Sequence, residues 1–318
     1  MDAIRAELTK YLVSNFILEA LILTPDSVPL SRNIEDYPEG IIIPIDKPYR
    51  WTSADVIRKV KYAAIRHFGK KNLKVGHAGT LDPLATGVLL VCIGKATKLA
   101  EELQSHDKEY VAGVTFGATT PSYDLEKEID RFFPHGHITE DSVAEALPAF
   151  IGEQDQIAPL FSAKSVDGVR AYELARKLHA EGKTLDEAAQ ELIRVSKINI
   201  TALKLEEYYS AVADRPENSD ISLAAKVIGE VIPIATTTGI EESKASSRIN
   251  VTDNSALGLP RAVIRMACSK GTYVRAFARD LGEKLGSGAH LDSLQRSRSG
   301  IFRVENALTV EQAVQALS

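Results

Sequence analysis

The apolar positions along the chain repeat with two different periods, which together predict both helices and strands. Steps of three and four residues, typical of amphipathic helices, occur in 1–24, after the cap residues Thr52 and Ser53, in 171–178 and in 272–286. Runs of β-branched residues predict buried strands, and alternation of apolar and polar residues predicts half-exposed ones. The segments with strand patterns are 40–48, 87–94, 109–117, 194–209 and 261–269.

The order of these elements favours one class of fold. Strands and helices mix without a regular βαβ alternation, which indicates an α+β fold rather than a doubly wound one. Residues 25–38 contain three prolines among polar residues and are typical of a linker, so 1–38 is predicted to be an N-terminal helical extension and linker. Residues 39–318 then form the main domain, with a polar, acidic insertion at about 210–255.

Composition excludes several classes of protein. With 318 residues, 44% hydrophobic and 25% charged, the chain is neither collagen-like, disordered nor a disulfide scaffold. Cys92 and Cys268 lie in apolar runs, which indicates a reducing compartment and argues against a zinc site or a catalytic thiol. The acidic N-terminus does not fit a secretory signal, and no apolar run has the length of a membrane span. We expect a soluble, cytoplasmic protein.

The charge distribution indicates that the protein binds nucleic acid, although the net charge of −5 does not. Residues 57–100 hold nine Lys and Arg residues against Asp82 alone, and 261–303 hold nine against three acids. Residues 124–155 hold nine acids against two basic residues. If the two basic segments share a face, they form a phosphate-binding surface. The alternative is that both are ordinary solvated helix faces.

A glycine-rich loop around Asp82 is the segment with the clearest chemical pattern. Asp82 precedes Pro83, which restricts the backbone of Asp82 to extended or turn conformations, and Gly79 and Gly87 flank the pair. A carboxylate on such a stiff loop suits a nucleophile or a general base. The alternative is an Asp-Pro turn without chemistry. A phosphate-binding P-loop is excluded because the Gly-Lys-Ser/Thr ending is absent.

GHAGTLDPLATGVL, residues 76–89, closely resembles the signature loop of the bacterial tRNA uridine-55 pseudouridine synthases, the TruB family. Segments 45–60, 108–120, 156–176 and 268–302 are similar to further motifs of that family, in the same order. The resemblance implies a pseudouridine synthase fold, with a mixed, largely antiparallel sheet in two halves, a central cleft and flanking helices. It also implies conversion of uridine to pseudouridine by base flipping, with no cofactor and no metal.

The resemblance assigns the catalytic roles residue by residue. Asp82 is the carboxylate that attacks the nucleotide, either at C1′ of the sugar or at C6 of the base. Tyr110 stacks on the flipped uracil and assists proton transfer, and Arg275 pairs with Asp82 to keep it ionised. Without the matching motifs, Tyr110 is a core tyrosine of a strand and Arg275 a surface residue of a helix.

Further residues are assigned to substrate binding. Tyr273 and Leu294 line the pocket for the base, and the His77 ring fills the gap that the flipped base leaves in the RNA stack. A histidine between glycines is otherwise an ordinary loop residue. Lys47, in the segment IDKP, is expected to support the wall of the cleft rather than to take part in chemistry.

The sequence also departs from the family pattern. Only a short segment follows Phe302, so we expect no C-terminal RNA-binding (PUA) domain. Residues 119–122 read Thr-Thr-Pro-Ser where relatives usually have Thr-Asp-Thr, which predicts a loop of different shape. Gln295 replaces the first of two arginines, leaving Arg296 alone and predicting the loss of one phosphate contact.

Three other functions fit parts of this pattern. They are a non-catalytic chaperone that binds and folds tRNA, a guide-RNA-dependent synthase, and a synthase that acts on another RNA. The first requires that the Asp82, Tyr110 and Arg275 set has no chemical role, and the second requires the C-terminal domain that we expect to be absent. The predicted partner is therefore the T-arm of tRNA, bound by a monomer without guide RNA, membrane or partner protein.

Overall fold

A computed structural model describes residues 19–27, 29–161, 165–166, 169–170, 195–210, 249 and 251–318. The predicted helix at 171–178 lies outside these residues, as do most of the predicted helix at 1–24 and most of the insertion at 210–255. The described strands, in chain order, are β1 (Leu21–Ile22), β2 (Ile41–Lys47), β3 (Val75–Ala78), β4 (Ala85–Ile93), β5 (Lys108–Phe116), β6 (Ala118–Thr119), β7 (Arg131–Phe132), β8 (Gly152–Gln156), β9 (Ser165–Val166), β10 (Val169–Arg170), β11 (Ser196–Tyr209), β12 (Arg261–Cys268), β13 (Ala289–Ser299) and β14 (Phe302–Arg303).

The helices within the same residues are fewer and mostly short. The α-helices are α1 (Ser53–Phe68), α2 (Ala100–Ser105), α3 (Glu140–Ala146), α4 (Val274–Lys284) and α5 (Val310–Ala316). Short 3₁₀ segments occur at Ile34–Asp36, Gly94–Leu99, Leu147–Phe150, Ser255–Leu257 and Val304–Asn306.

Ten of the strands form one mostly antiparallel sheet, which confirms the predicted α+β class. The main path through this sheet is β1-β2-β4-β13-β5-β12-β11-β8, with β3 paired to β4 and β14 to β13. The short pairs β6–β7 and β9–β10 lie outside it. The predicted strands at 40–48, 87–94, 109–117, 194–209 and 261–269 are confirmed, with ends that shift by up to two residues.

The chain divides into two compact units, and β5 and β13 each contribute residues to both. In the described residues, the first unit comprises 19–109 and 295–318, and the second comprises 110–210 and 249–294.

The first unit is built on β2 and β4, which pair antiparallel with Ile45 opposite Leu89. Their apolar residues are completely buried, as expected for strands with a continuous β-branched pattern. Helix α1 begins after Thr52, whose side chain and that of Asp55 form a reciprocal capping box. It ends at Gly69, which has the left-handed conformation that glycine adopts most readily. The helix predicted after Thr52 is therefore confirmed.

One prediction for the first unit is wrong. The helical pattern of 1–24 extends over Leu21 and Ile22, but these two residues form β1. They pair in parallel with Ile41 and Ile42 of β2. Pairing with a strand that is distant in the sequence outweighs the local helical preference.

The second unit is built on β12, β11 and β8 in antiparallel order, with β5, α3 and α4 among its other elements. Phe116, Phe277 and Ile264 belong to its buried core. The helix predicted at 272–286 is confirmed over Val274–Lys284, and its apolar side packs into this core. Two register shifts interrupt the pairing of β11 with β12, between Ile200 and Ala202 and between Leu205 and Glu207.

Candidate active site

Asp82 lies in the first unit, on the short connection between β3 and β4. The backbone N–H of Ala85 donates to the carbonyl oxygen of Asp82 at 3.1 Å, which closes a turn around Pro83. Leu81 and Leu84 are buried, whereas Asp82 itself is partly exposed. The buried apolar neighbours therefore anchor the loop on both sides of Asp82.

The backbone on both sides of Asp82 is held by side chains from other elements. Ser53 Oγ accepts from the N–H of Leu81 at 3.0 Å and lies 3.2 Å from the carbonyl oxygen of the same residue, to which it donates. Lys47 Nζ donates to the carbonyl oxygen of Pro83 at 3.1 Å. The residues immediately before and after Asp82 are thus both fixed.

Lys47 is completely buried and uses its ammonium group to hold backbone. Its Nζ also donates to the carbonyl oxygens of Pro48 at 2.9 Å and Trp51 at 2.6 Å. Burial lowers the pKa of Lys47 to about 7, and the negative charges of Asp82 and Asp46 oppose this shift. These contacts agree with the supporting role predicted for Lys47.

His77 lies in β3, opposite Val91 of β4, and is partly buried. Burial lowers the pKa of His77, and the positive charge of Arg296 lowers it further. Its Nδ1 is buried without a hydrogen-bond partner. At neutral pH the side chain is therefore an uncharged aromatic ring, which is the form suited to stacking rather than to pairing with phosphate.

The sequence predicted that Gln295, in place of an arginine, costs one phosphate contact, but the structure places Gln295 and its neighbour Arg296 in the interior. Both side chains are buried, and Arg296 is only 2% exposed. Arg296 Nε donates to the carbonyl oxygen of Val88 at 2.7 Å, and Nη2 donates to that of Gly79 at 3.1 Å. Arg296 therefore binds protein backbone around the Asp82 loop. The sequence motif marked this arginine as noteworthy but gave no indication of its partner.

Arg275 lies in the second unit, as the second residue of α4, and is buried. Its Nη1 donates to the carbonyl oxygen of Ser122 at 3.1 Å and lies 3.6 Å from Asp124 Oδ2. Asp124 Oδ1 accepts from Ser122 Oγ at 2.6 Å and from the N–H of Glu126 at 2.9 Å. The sequence analysis missed Asp124, and its place just after the Thr-Thr-Pro-Ser segment was the signal available.

The other predicted site residues of the second unit lie at the edge of its core. Tyr110 and Leu294 are partly buried and pack against the same apolar cluster. Tyr273 precedes α4, where its N–H donates to Gln156 Oε1 at 2.8 Å and its carbonyl oxygen accepts from Gln156 Nε2 at 3.2 Å. Gln156 is buried, so it fixes the start of α4 and with it the position of Tyr273.

The structure also shows which basic residues face solvent. Arginines of 261–303 are turned inward at positions 261, 275 and 296. In 57–100, by contrast, α1 exposes Arg58, Lys59, Lys61 and Arg66 along one side. The aromatic ring of Tyr62, which is 65% exposed, lies among them with the Arg66 guanidinium 5.7 Å from its centre. The charge count of 261–303 therefore overstates the cationic surface of that segment.

In the described part of the chain, no group of three or more His, Cys, Asp or Glu residues is arranged to hold a metal ion. None of its helices is long and apolar enough to cross a membrane.

Comparison with known proteins identifies relatives over most of the chain. Residues 66–215 match the TruB family pseudouridylate synthase N-terminal domain, and residues 275–318 match the tRNA pseudouridylate synthase B C-terminal domain. The tRNA pseudouridine synthase B of Phocaeicola vulgatus is 44% identical over 276 residues, which cover 87% of this chain and 92% of that protein. The enzyme of the same name from Flavobacterium johnsoniae is 39% identical, over 87% of this chain and 95% of that protein.

Solved structures with a similar fold are more distant in sequence. A chain from a Cbf5-Nop10-Gar1 complex matches with a TM-score of 0.53 and 24% identity, over 92% of this chain and 58% of that chain. A chain from an H/ACA RNP bound to a substrate RNA matches with a TM-score of 0.51 and 22% identity, over 92% and 57%. This chain thus spans less than two thirds of those proteins, and at these identities the likeness concerns the fold alone.

Proposed function

Because the chain belongs to the TruB family of pseudouridylate synthases and forms pseudouridine in tRNA, we propose that its target is uridine 55 of the T-loop and that its catalytic nucleophile is Asp82. The observation that carries the assignment of Asp82 is its environment. Asp82 is partly exposed, while hydrogen bonds that Leu81 exchanges with Ser53 and that Pro83 accepts from Lys47 fix the backbone of the two adjacent residues. A nucleophile needs this combination of access and fixed direction.

The proposed reaction exchanges one bond between sugar and base for another. Asp82 adds either to C1′ of the ribose or to C6 of the uracil, and both routes remain open. The N1–C1′ bond breaks, the base rotates while it stays bound, and a C5–C1′ bond forms. The bond between Asp82 and the substrate breaks in the same sequence, which returns the free carboxylate. The proton on C5 is lost and N1 gains one, so the isomerisation needs no oxidant, reductant or second substrate.

Access to C5 requires that the uridine leave the folded T-loop, because stacking and pairing bury the edge of the base. We assign Tyr110 to stacking on the extruded uracil and to proton transfer, and Tyr273 and Leu294 to the walls of the base pocket. His77, as an uncharged ring, is assigned to the gap that the uridine leaves in the RNA stack. Arg275 is the cation assigned to the Asp82 carboxylate.

A synthetic tRNA transcript tests both parts of the proposal. The protein is incubated with the transcript alone, and pseudouridine is mapped by carbodiimide-dependent primer extension. We expect a single carbodiimide-dependent stop, one nucleotide 3′ of position 55, and none in a transcript that carries cytidine at that position. Asp82→Asn is nearly isosteric but cannot act as a carboxylate nucleophile, so it should form no product while it binds tRNA with normal affinity. A mark at another position contradicts the proposed target, and activity of Asp82→Asn within about tenfold of the wild type contradicts the nucleophile.

The same experiment separates the other functions. Modification of the transcript without added RNA supports action without a guide, and a requirement for added RNA supports a guide-dependent enzyme instead. Binding and refolding of tRNA by Asp82→Asn identifies a chaperone role that is independent of chemistry. We further propose that the enzyme acts in the cytoplasm as a monomer that needs no partner protein, and sedimentation of the active protein tests the monomer.

A further inference from the structure

The Arg296 guanidinium is a charged group in the interior of the first unit, and its hydrogen bonds run to a single short segment. Its two acceptors are the carbonyl oxygens of Gly79 and Val88. Burial of a guanidinium is costly unless its N–H groups find acceptors. These two hydrogen bonds are therefore strongly favoured over a buried guanidinium without acceptors. Because the guanidinium is planar and rigid, it also fixes the distance between the two carbonyls it binds.

Gly79 and Val88 stand at the two ends of the segment that contains Asp82. Between them, Gly87 has a φ of 96° and passes so close to Arg296 that a Cβ on Gly87 would overlap the Arg296 backbone. Both the backbone and the side chain of Arg296 thus contact the segment 79–88. Burial is the main cause of the lowered pKa of both His77 and Lys47, and the positive charge of Arg296 adds to it.

Ser53 holds the same segment at its centre. Its single hydroxyl group accepts from the N–H of Leu81 and donates to the carbonyl oxygen of Leu81, immediately before Asp82. Ser53 is the first residue of α1, whose start is fixed by the capping box of Thr52 and Asp55. The hydroxyl therefore transfers the rigidity of a capped helix to the backbone next to Asp82.

We propose that Ser53 and Arg296 are positioning residues for pseudouridine formation, which fix the backbone of segment 79–88 so that the Asp82 carboxylate meets its target atom in the reactive geometry. This inference rests on the proposed role of Asp82. Neither residue touches the RNA in this proposal, so both act on turnover rather than on binding. A displacement of about 1 Å at a reacting group is enough to cost about a hundredfold in rate.

Ser53 provides the sharper test because a substitution at Ser53 leaves Thr52, the N-cap of α1, in place. Ser53→Ala should lower kcat by about tenfold or more, with KM and the Kd for tRNA unchanged within about threefold. Ser53→Thr keeps the hydroxyl and should restore kcat to within about threefold of the wild type. Thr97→Ala is the matched control, since it removes a hydroxyl that donates to the carbonyl oxygen of Gly94 in the same unit. Its kcat should stay normal.

Arg296 provides the second test. Arg296→Lys keeps the charge but replaces the planar fork by one ammonium group, which cannot hold both carbonyls in the same geometry. We expect kcat to fall by about tenfold to a hundredfold at an unchanged Kd for tRNA. Arg303→Lys, the same substitution at an exposed position of β14, should have normal kcat. If Arg296→Lys does not fold, the Ser53 variants decide the question.

The outcomes separate this inference from the proposed function. A kcat within about twofold of the wild type in folded Ser53→Ala overturns the positioning role, as does a loss of kcat that Ser53→Thr does not restore or a loss that follows weaker tRNA binding. None of these results affects the assignment of uridine 55 or Asp82. Those assignments fail separately, if the wild type marks another position or if Asp82→Asn stays active.

Discussion

Arg275 Nη1 lies 3.6 Å from Asp124 Oδ2, and both side chains are almost completely buried. Nη1 also donates to the carbonyl oxygen of Ser122, so one end of the guanidinium is oriented by a single loop. A buried arginine next to a carboxylate keeps its charge and its direction. This pair therefore sets the orientation of the cation that we assign to the catalytic carboxylate.

Arg275→Lys should lower kcat strongly although the substitution keeps the positive charge. An ammonium group cannot reproduce the planar geometry of the guanidinium, and we expect kcat to fall by about a hundredfold. Arg265→Lys is the control, because Arg265 also pairs with a carboxylate of the second unit, that of Glu206. Steady-state kinetics on tRNA measure both variants. Near-normal kcat in Arg275→Lys, or an equal loss in the control, would show that Arg275 has no specific role.

Gly113→Ala should destabilise the protein. Arg261 Nε and Nη2 bond to the two carboxylate oxygens of Asp292 at 2.6 and 2.8 Å, and a Cβ on Gly113 would overlap both side chains. Overpacking of a buried site typically costs about 1–3 kcal/mol, and disruption of this ion pair adds to that cost. Urea unfolding measures the effect. Gly136→Ala, whose Cβ meets nothing within 4 Å, should change the free energy of unfolding by less than about 1 kcal/mol.

Lys47 should make the stability of the protein depend on pH. Its pKa is about 7 in the folded chain, because burial disfavours the ammonium, against an ordinary value of 10.5. Between these two values the unfolded chain binds more protons than the folded one, so the free energy of unfolding rises with pH. The slope approaches about 1.4 kcal/mol per pH unit. Below pH 7 both states carry the proton and this contribution to stability is lost.

Urea unfolding of the wild type and of Lys47→Met at pH 7 and pH 9 measures this contribution. We expect the free energy of unfolding of the wild type to increase relative to that of Lys47→Met as the pH rises. The same comparison with Lys197→Met is the control, because Lys197 is 92% exposed and its charge is solvated in both states. A wild type that loses stability relative to Lys47→Met over this range would contradict the lowered pKa.

The exposed side of α1 should contribute to the binding of tRNA. It carries four basic residues around Tyr62, and each phosphate contact releases counterions, so removal of one contact reduces the salt slope of log Kd by about 1. The double variant Lys59→Ala and Arg66→Ala should therefore lower that slope by up to about 2. The control variant, Lys197→Ala combined with Lys204→Ala, removes two exposed lysines of β11 and should leave the salt slope of log Kd unchanged. An unchanged slope in the first variant would identify this side of α1 as an ordinary solvated surface.

Elements with local signals could be predicted from the order of residues alone. The cap residue Thr52 marks the start of α1, because a cap acts on the backbone a few residues away. The β-branched run of 40–48 likewise predicted β2, and the glycine-flanked Asp-Pro pair predicted that Asp82 lies on a short loop. Each of these features depends on neighbours within one turn or one strand, and so the sequence is sufficient to indicate them.

Which side chains these elements bury, and what those side chains bind, depends on contacts between distant segments. Leu21 and Ile22 continue a helical pattern, yet they form a strand because β2 offers them backbone partners. The guanidinium of Arg296 and the carboxylate of Asp124 have the same charges in any fold. Packing between segments far apart in the chain removed these groups from water and aimed them at Gly79, Val88 and Arg275. A sequence counts charges, whereas solvent exposure and hydrogen-bond partners depend on contacts that form only when distant segments come together.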